Sequence, residues 1–261
     1  MKGQQEAVSM TTVGSAMPVD FKARLYERYL TEHVRFSADT IQVALSLRGP
    51  YMRRMIASWL PPDRSSRILD LGCGYGAILH FLREAKYLNT TGVDVSPEQI
   101  ETARQLGFED VHCEDLRAFL DQVPEGTYNA VIAFDILEHF TRPELLALLD
   151  ELHRVLVPSG RLILHGPNGE GIFSGTILNG DLTHELAFTR SSLQQLAGAT
   201  SFRVVAVKED VPIVHGLRSL VRNLIWRGGS FFFRLMAVAE TGSGFLEKPL
   251  SQNLLAILES V

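Results

Sequence analysis

One stretch, RILDLGCGYG at residues 67–76, constrains the fold of this chain more than any other. Its apolar first half predicts a buried strand that ends at Asp70, and Gly72, Gly74 and Gly76 predict a tight turn. A helix is expected over residues 77–86. A strand, a glycine turn and a helix in this order are typical of a nucleotide site, because glycines let the backbone approach a ligand and the start of the helix offers N–H groups.

The spacing of the glycines leaves two kinds of nucleotide ligand open. A dinucleotide site follows the pattern GxGxxG, and Ala77 is tolerated in its third glycine position. Asp70 favours the other kind, because a carboxylate at the end of the strand repels a pyrophosphate and suits a cationic amino-acid group. A D-x-GxGxG turn resembles motif I of the class I S-adenosylmethionine (SAM)-dependent methyltransferases, whose cofactor carries an ammonium and a sulfonium. A purely structural glycine turn is the remaining alternative.

The composition limits the class of function. With 261 residues, 46% of them hydrophobic, the chain is large enough for one α/β domain with extensions. The formal net charge of -5 argues against a general nucleic-acid binder. The two cysteines, Cys73 and Cys113, indicate a reducing compartment. Residues 1–20 lack the apolar core of a signal peptide, and no uncharged apolar run approaches the roughly 18 residues of a membrane span, so we expect a cytoplasmic protein.

Three segments are expected along the chain. Residues 1–18 are polar and small and predict disorder, residues 19–62 predict a helical cap, and residues 63–261 predict the SAM-binding methyltransferase domain. Within the cap, helices are expected over residues 38–47 and 51–60, separated by Gly49 and Pro50. The family resemblance implies that cap helices touch the acceptor substrate, which makes Tyr26, Tyr29 and His33 candidate substrate residues; an amphipathic surface helix is the alternative.

Further carboxylates follow the next predicted strands. Asp94 lies a little over twenty residues past Gly72, where nucleotide folds place a carboxylate that accepts both ribose hydroxyls. The resemblance implies that Asp115, with Glu114 as the fallback, accepts the adenine amino group and that the backbone of Leu116 meets the ring; a helix cap is the alternative for Asp115. The complete set of predicted cofactor residues is Asp70, Gly72, Gly74, Gly76, Asp94, Val95, Asp115, Leu116, Phe134 and Asp135.

The resemblance also implies a fold. It is the Rossmann-like α/β fold, with a seven-stranded sheet in the order 3-2-1-4-5-7-6 whose seventh strand is antiparallel. Because the carboxyl ends of neighbouring parallel strands meet at one edge, Asp70, Asp94, Asp115 and Asp135 are expected to face one crevice, together with Asn168 as a candidate substrate residue.

Two motifs predict the chemistry. Asp135-x-x-Glu138-His139 and the later stretch Asp181-Leu-Thr-His184 are similar to E-x-L-E-H and D-x-T-H in the group that includes ubiquinone-pathway and cell-surface glycan O-methyltransferases. A neutral histidine, His139 or His184, could take a proton from a hydroxyl acceptor. Alternatively, Asp135, Glu138 and His139 could share Mg²⁺, as the matching residues do in some ubiquinone-pathway relatives. Glu138 and His139 could also only stabilise the start of the following helix.

A long insertion, residues 211–250, separates the last two predicted strands. It combines a helical apolar stripe with nearby basic residues. The stripe consists of Leu217, Leu220, Val221, Leu224 and Ile225, and the basic residues are Arg218, Arg222 and Arg227. A basic amphipathic segment such as residues 214–240 is suited to peripheral contact with an anionic membrane. A lid over the acceptor pocket and a homodimer face are the alternatives.

Taken together, the motifs predict one activity. We expect transfer of a methyl group from SAM to a hydroxyl oxygen of a small molecule or of a sugar or glycan precursor, with S-adenosylhomocysteine as the product. A phenolic or quinone-precursor acceptor is the nearest alternative. A SAM-binding partner subunit without catalytic activity is the alternative from a different class, since the glycines and acids predict cofactor binding but not turnover.

Overall fold

A computed structural model of the chain describes residue 25, residues 38–242 and residues 248–261. The chain divides into two units, Met1–Arg35 and Phe36–Val261, and all elements named below belong to the second. The segment predicted to be disordered and the candidate substrate residues Tyr26, Tyr29 and His33 lie outside the described residues. The helices are α1 Ala38–Trp59, α2 Ala77–Glu84, α3 Pro97–Gln105, α4 Leu116–Gln122, α5 Arg142–Val155, α6 Ser174–Gly180, α7 Arg190–Ala199 and α8 Leu217–Thr241. The strands are β1 Ile68–Leu71, β2 Thr90–Asp94, β3 Val111–Cys113, β4 Tyr128–Phe134, β5 Leu156–Pro167, β6 Phe202–Glu209 and β7 Asn253–Ser260.

The seven strands form one sheet in the order β3-β2-β1-β4-β5-β7-β6. β7 runs antiparallel to both β5 and β6, whereas β1 to β5 pair in parallel. The predicted Rossmann-like fold, strand order and antiparallel last strand are therefore confirmed. The register places Leu71 beside Val93 and Ala133, and Phe134 beside His165, so the carboxyl ends of four neighbouring strands lie at one edge.

The sheet is buried on both faces, as expected of a parallel sheet covered by helices. Leu69 and Leu71 of β1 face one apolar cluster and Ile68 faces the other, because successive side chains of a strand point to opposite faces. The first cluster is closed by the leucines of α5, and the second by α1 and α2. This rigid core fixes the strand ends from which the site is built.

The region before β1 corrects one prediction. The two helices predicted on either side of Gly49 and Pro50 are a single helix, α1, with Pro50 inside it. A proline inside a helix costs about 3 kcal/mol. The apolar positions continue at helical spacing on both sides of the proline and are buried on the sheet, and this burial outweighs the cost; they are Ile41, Leu45, Met52, Met55, Ile56 and Trp59.

Other differences concern one short helix and the insertion. α6 was not predicted from the sequence. The apolar stripe of the insertion belongs to one 25-residue helix, α8, which continues through Gly228 and Gly229. Among the helices of the described ranges, none has a stretch that is both long and apolar enough to traverse a bilayer.

Candidate active site

The glycine turn after β1 has a backbone that requires glycine. Gly72, Gly74 and Gly76 have φ values of 67°, 54° and 86°, in the left-handed region that side chains disfavour. At Gly72 an added Cβ would lie 2.1 Å from Cδ1 of Ile136. The N–H groups of Gly72 and Cys73 both donate to the carbonyl oxygen of Val93, at 2.8 and 3.1 Å, which ties the turn to β2.

Asp70 lies at the start of this turn with its side chain completely buried. Neither carboxylate oxygen has a hydrogen-bond partner within the described ranges. Burial, and then the negative charge of Asp94, raise the pKa of Asp70 well above its usual range. A buried carboxylate without a partner is unfavourable unless a cation or a hydrogen-bond donor comes to it, so this position suits a ligand that carries one.

Asp94, at the end of β2, organises the backbone around the turn. Its Oδ2 accepts a hydrogen bond from the N–H of Gly74 at 2.9 Å, and its Oδ1 accepts one from the N–H of Ser96 at 2.8 Å. Burial raises the pKa of Asp94, although these hydrogen bonds oppose the shift. A carboxylate oxygen has two lone pairs, so each oxygen of Asp94 can accept one further hydrogen bond, for example from a hydroxyl group.

The predicted adenine residues lie after β3. Oδ1 of Asp115 accepts hydrogen bonds from the N–H groups of Arg117 and Ala118, at 2.9 and 3.3 Å, so this side chain caps α4. Leu116 is buried and Val95 is exposed. Asp115 therefore acts as the helix cap that was the alternative prediction, and a role of Asp115 toward adenine stays a prediction.

Asp135 follows β4 and has φ of 56°, an unusual backbone for a residue with a side chain. Nδ1 of His165, on β5, donates to Oδ1 of Asp135 at 2.6 Å, and Nε2 of His165 lies 3.4 Å from Oδ2 of Asp210. Burial works against the charged ring, but the hydrogen bonds to the two carboxylates outweigh it and raise the pKa of His165 to about 9. His165 is therefore a buried imidazolium at neutral pH.

This imidazolium in turn fixes the state of Asp135. Although burial opposes it, the hydrogen bond and the charge of His165 hold the pKa of Asp135 below its usual range. The ring of Phe134 stacks on His165 with centroids 4.1 Å apart, and Tyr51 of α1 meets both rings edge-on. The side chain of Asp135 is half exposed, so it presents a fixed negative charge to the crevice.

Sequence reasoning missed His165 and Tyr51. The signal for His165 was its position at the end of the fifth predicted strand, the same edge that carries the acids. No comparable signal existed for Tyr51, because the contact depends on how α1 packs on the sheet. Burial, followed by the charges of Asp210 and Asp135, raises the pKa of Tyr51.

Glu138 lies in the short 3₁₀ turn Leu137–His139 and is only 1% exposed. Burial, and then the charge of Asp135, raise the pKa of Glu138 to about 8. Its Oε2 has no hydrogen-bond partner among the described residues, and its backbone oxygen accepts the N–H groups of Glu185 and Leu186. Glu138 is therefore a neutral carboxylic acid at pH 7, held where two distant segments of the chain meet.

His139 and His184 face each other beside Glu138. Their ring centroids are 4.8 Å apart. Nδ1 of His139 lies 2.8 Å from the hydroxyl of Thr183, and that hydroxyl donates to Oδ1 of Asp181 at 2.6 Å. Nδ1 of His184 donates to the carbonyl oxygen of Ile177 at 3.1 Å. The two candidate bases of the sequence prediction are thus brought together.

The electrostatics favour a neutral His139. Because the Thr183 hydroxyl gives its proton to Asp181, it accepts from Nδ1 of His139, which makes Nε2 the basic nitrogen of the neutral ring. Burial, and then the facing His184, lower the pKa of His139. This ring is therefore ready to accept a proton at neutral pH.

The three residues predicted to bind magnesium do not form one cluster in the structure. Among the described residues, the ligand atoms of Glu138, His139 and His184 lie within 4.8 Å of one another, so His184 stands in place of Asp135. Asp135 is instead paired with His165. Mg²⁺ prefers an octahedral set of oxygen ligands, whereas two imidazoles and one carboxylate are typical of transition metals. The residues present do not fit Mg²⁺.

Asn168, the predicted substrate residue, has a fully buried side chain. Its Nδ2 donates to the carbonyl oxygens of Pro249 and Ser251, at 2.9 and 2.7 Å, and its Oδ1 accepts the N–H of Glu170 at 3.0 Å. The amide thus connects the end of β5 to the segment before β7. A contact with substrate stays a prediction that this arrangement does not favour.

The sequence has relatives of known activity over its central part. Residues 68–160 match the family model of the methyltransferase domain. The 27-O-demethylrifamycin SV methyltransferase of Amycolatopsis mediterranei is 30% identical over 42% of this chain and 41% of its own length. The 2-methyl-6-phytyl-1,4-hydroquinone methyltransferase of Synechocystis sp. is 31% identical over 40% of this chain and 32% of its own length. The chain thus spans less than half the length of these relatives.

Solved structures with the same fold cover more of the chain. A SAM-dependent methyltransferase from Archaeoglobus fulgidus superimposes with a TM-score of 0.56, at 19% identity, over 91% of this chain and 99% of the other. At that identity the likeness is one of fold. The described fold is therefore shared with a protein whose name is that of a SAM-dependent methyltransferase.

Proposed function

We propose that this chain, whose residues 68–160 match the methyltransferase-domain model, binds SAM and transfers the methyl group to a hydroxyl of a small-molecule acceptor. The observation that carries the proposal is Asp70: a completely buried carboxylate at the glycine turn with both oxygens unpartnered among the described residues. SAM carries a cationic amino-acid group that could pair with this carboxylate.

The neighbouring residues fit the rest of the cofactor. Asp94 has lone pairs for ribose hydroxyls, and the positive φ angles of the turn let the backbone come close to a ligand. When bound, SAM supplies an activated methyl group on a sulfonium, so the protein has to bind, orient and exclude water rather than generate the electrophile. Asp135, held ionised by His165, places a negative charge near the same edge.

His139 is proposed as the base that removes the acceptor proton. Its Nδ1 is anchored by Thr183 and Asp181, which orients the ring and makes Nε2 the nitrogen that accepts the proton. The imidazolium that forms is stabilised by the Asp181 carboxylate at the other end of this hydrogen-bonded chain. His184, with Nδ1 on the Ile177 carbonyl, positions the neighbouring ring.

The acceptor is proposed to be a hydroxyl compound, either a sugar or glycan precursor or a phenolic quinone precursor. Support for oxygen comes from a histidine base, because a hydroxyl proton has to leave during transfer. Two relatives are methyltransferases named for 27-O-demethylrifamycin SV and for 2-methyl-6-phytyl-1,4-hydroquinone, and these names are compatible with acceptors of these classes. No step is assigned to a metal ion.

The first experiment is a calorimetric titration of the purified chain with SAM and with S-adenosylhomocysteine, in the presence of EDTA and again with Mg²⁺. We expect micromolar binding of both ligands that EDTA leaves unchanged. Failure of both ligands to bind would overturn the proposal.

A second experiment tests the base. With methyl-labelled SAM and a panel of sugars and phenols, His139→Ala is expected to retain SAM affinity and to lower turnover by about 10²–10⁴-fold. His153→Ala, a histidine near β6, is the matched control and is expected to behave as wild type. Full turnover in His139→Ala would exclude His139 as the base.

A further inference from the structure

Helix α8 turns its apolar side away from the protein. The residues that are buried along it are Ser219 and Ser230, eleven positions and so three turns apart on one face. The large apolar side chains on the other faces are exposed, with values that reach 78% at Leu217. They are Leu217, Leu220, Val221, Leu224, Ile225, Phe231, Phe232, Phe233, Leu235 and Met236.

This arrangement is the reverse of an ordinary surface helix, whose apolar stripe faces the core. The side of α8 toward the protein is held by polar contacts instead. Nδ2 of Asn223 donates to the carbonyl oxygen of Pro212 at 2.8 Å, and Arg234 pairs with Glu209. The helix is thus anchored with its apolar face outward. An exposed apolar face of ten large side chains on one helix marks an interaction surface.

The charges of α8 indicate what covers this surface. The helix contains four arginines and one acid, Glu240, in a chain whose net charge is -5. Arg218 and Arg222 are one turn apart along one border of the apolar face, and Arg227 lies on the opposite border. All three are exposed, and none has an ion pair among the described residues. Both borders of the apolar face are therefore basic.

We propose that α8 lies on an anionic lipid surface. Its leucines and phenylalanines would enter the acyl boundary, and the arginine side chains would extend to the lipid phosphates on both sides, as basic amphipathic helices do. A second copy of the chain is a poorer occupant. A dimer through these faces would gather the arginines of both helices in one interface with only Glu240 of each copy to offset them.

The test is co-sedimentation of the full chain with vesicles of phosphatidylcholine alone and of phosphatidylcholine mixed with phosphatidylglycerol. Wild type is expected to bind the anionic vesicles more tightly, and less so as salt is raised. Replacing Arg218, Arg222 and Arg227 together by Gln is expected to weaken binding to the anionic vesicles on the order of 100-fold, at about 1 kcal/mol for each arginine.

Two further variants test the apolar face. Leu224→Glu with Ile225→Glu changes exposed residues, so folding is preserved, and vesicle binding is expected to be lost. Leu88→Glu, equally exposed but outside α8, is the matched control and is expected to bind as wild type. The SAM titration on each variant verifies the fold and is independent of lipid, so failure here is distinguishable from failure of the proposed function.

Two results would overturn the proposal. One is equal binding of wild type and of the Leu224→Glu, Ile225→Glu variant to anionic vesicles. The other is absence of vesicle binding together with a dimer by analytical ultracentrifugation that the same double variant dissociates, which would assign the surface to a second copy of the chain.

Discussion

Glu138→Gln tests the buried carboxylic acid at the centre of the site. Gln has the shape of a protonated Glu and cannot ionise. Wild-type Glu138 has a pKa raised from its ordinary value of 4.5 to about 8, with burial as the main cause and Asp135 as the second. The folded chain therefore keeps a proton that the unfolded chain releases between these two pH values.

The size of the effect follows from proton linkage. Because the unfolded state binds fewer protons in this window, the free energy of unfolding falls as pH rises, by up to about 1.4 kcal/mol per pH unit. The contribution is fully present below pH 4.5 and is lost as pH rises through about 8. Between pH 5 and 7, wild type is expected to lose roughly 2–3 kcal/mol relative to Glu138→Gln.

The assay is urea unfolding of both proteins at a series of pH values, and the quantity of interest is the difference between their free energies of unfolding. Taking the difference removes the titration of groups that the two proteins share, His165 included. Glu125→Gln, an exposed glutamate in the loop before β4, is the control and should follow wild type. If the curves of wild type and Glu138→Gln stay parallel from pH 5 to 8, the burial argument for Glu138 is refuted.

Three further changes probe the turn and its surroundings. Asp94→Ala is expected to weaken SAM binding by about 1–3 kcal/mol, through lost hydrogen bonds to the ribose, and unchanged affinity by calorimetry would remove Asp94 from the site. Gly72→Ala is expected to lower the free energy of unfolding by at least about 1–2 kcal/mol, because φ is 67° and the new Cβ would collide with Ile136. Gly228→Ala is the control: it lies in open space within α8 and should be neutral or stabilise the chain by up to about 1 kcal/mol in the same urea assay. Asn168→Ala is expected to lower the free energy of unfolding by about 2–4 kcal/mol and to leave the affinity for SAM unchanged. Unchanged stability together with weaker SAM binding would instead indicate that Asn168 contacts a ligand.

The order of the strands and the glycine turn could be predicted from the sequence. The turn depends on short local patterns, namely an apolar run of strand length, glycines at fixed spacing and acids that follow each run, whereas the strand order was implied by the family resemblance. The seven strands and their order are confirmed because a doubly wound sheet allows few arrangements of such units.

What could not be predicted depends on tertiary packing. Pro50 stays inside α1 because buried residues on both of its sides hold the helix, and propensity alone gives the opposite expectation. The pairing of Asp135 with His165 joins residues 30 positions apart through the register of β4 and β5. Likewise, the apolar stripe of α8 was visible in the sequence, but a stripe does not say which way it faces.

Four acidic residues lie at this edge of the sheet, and their surroundings differ in how they compensate the negative charge. Asp135 is ionised because the buried imidazolium of His165 pairs with it, and Asp94 receives two backbone N–H groups. Glu138 stays protonated near neutral pH. Neither oxygen of Asp70 has a hydrogen-bond partner within the described ranges, so the cationic group of the proposed ligand would offset part of the free energy lost by burying this carboxylate. By mass action, binding of that ligand to the folded state would therefore raise the free energy of unfolding of the chain.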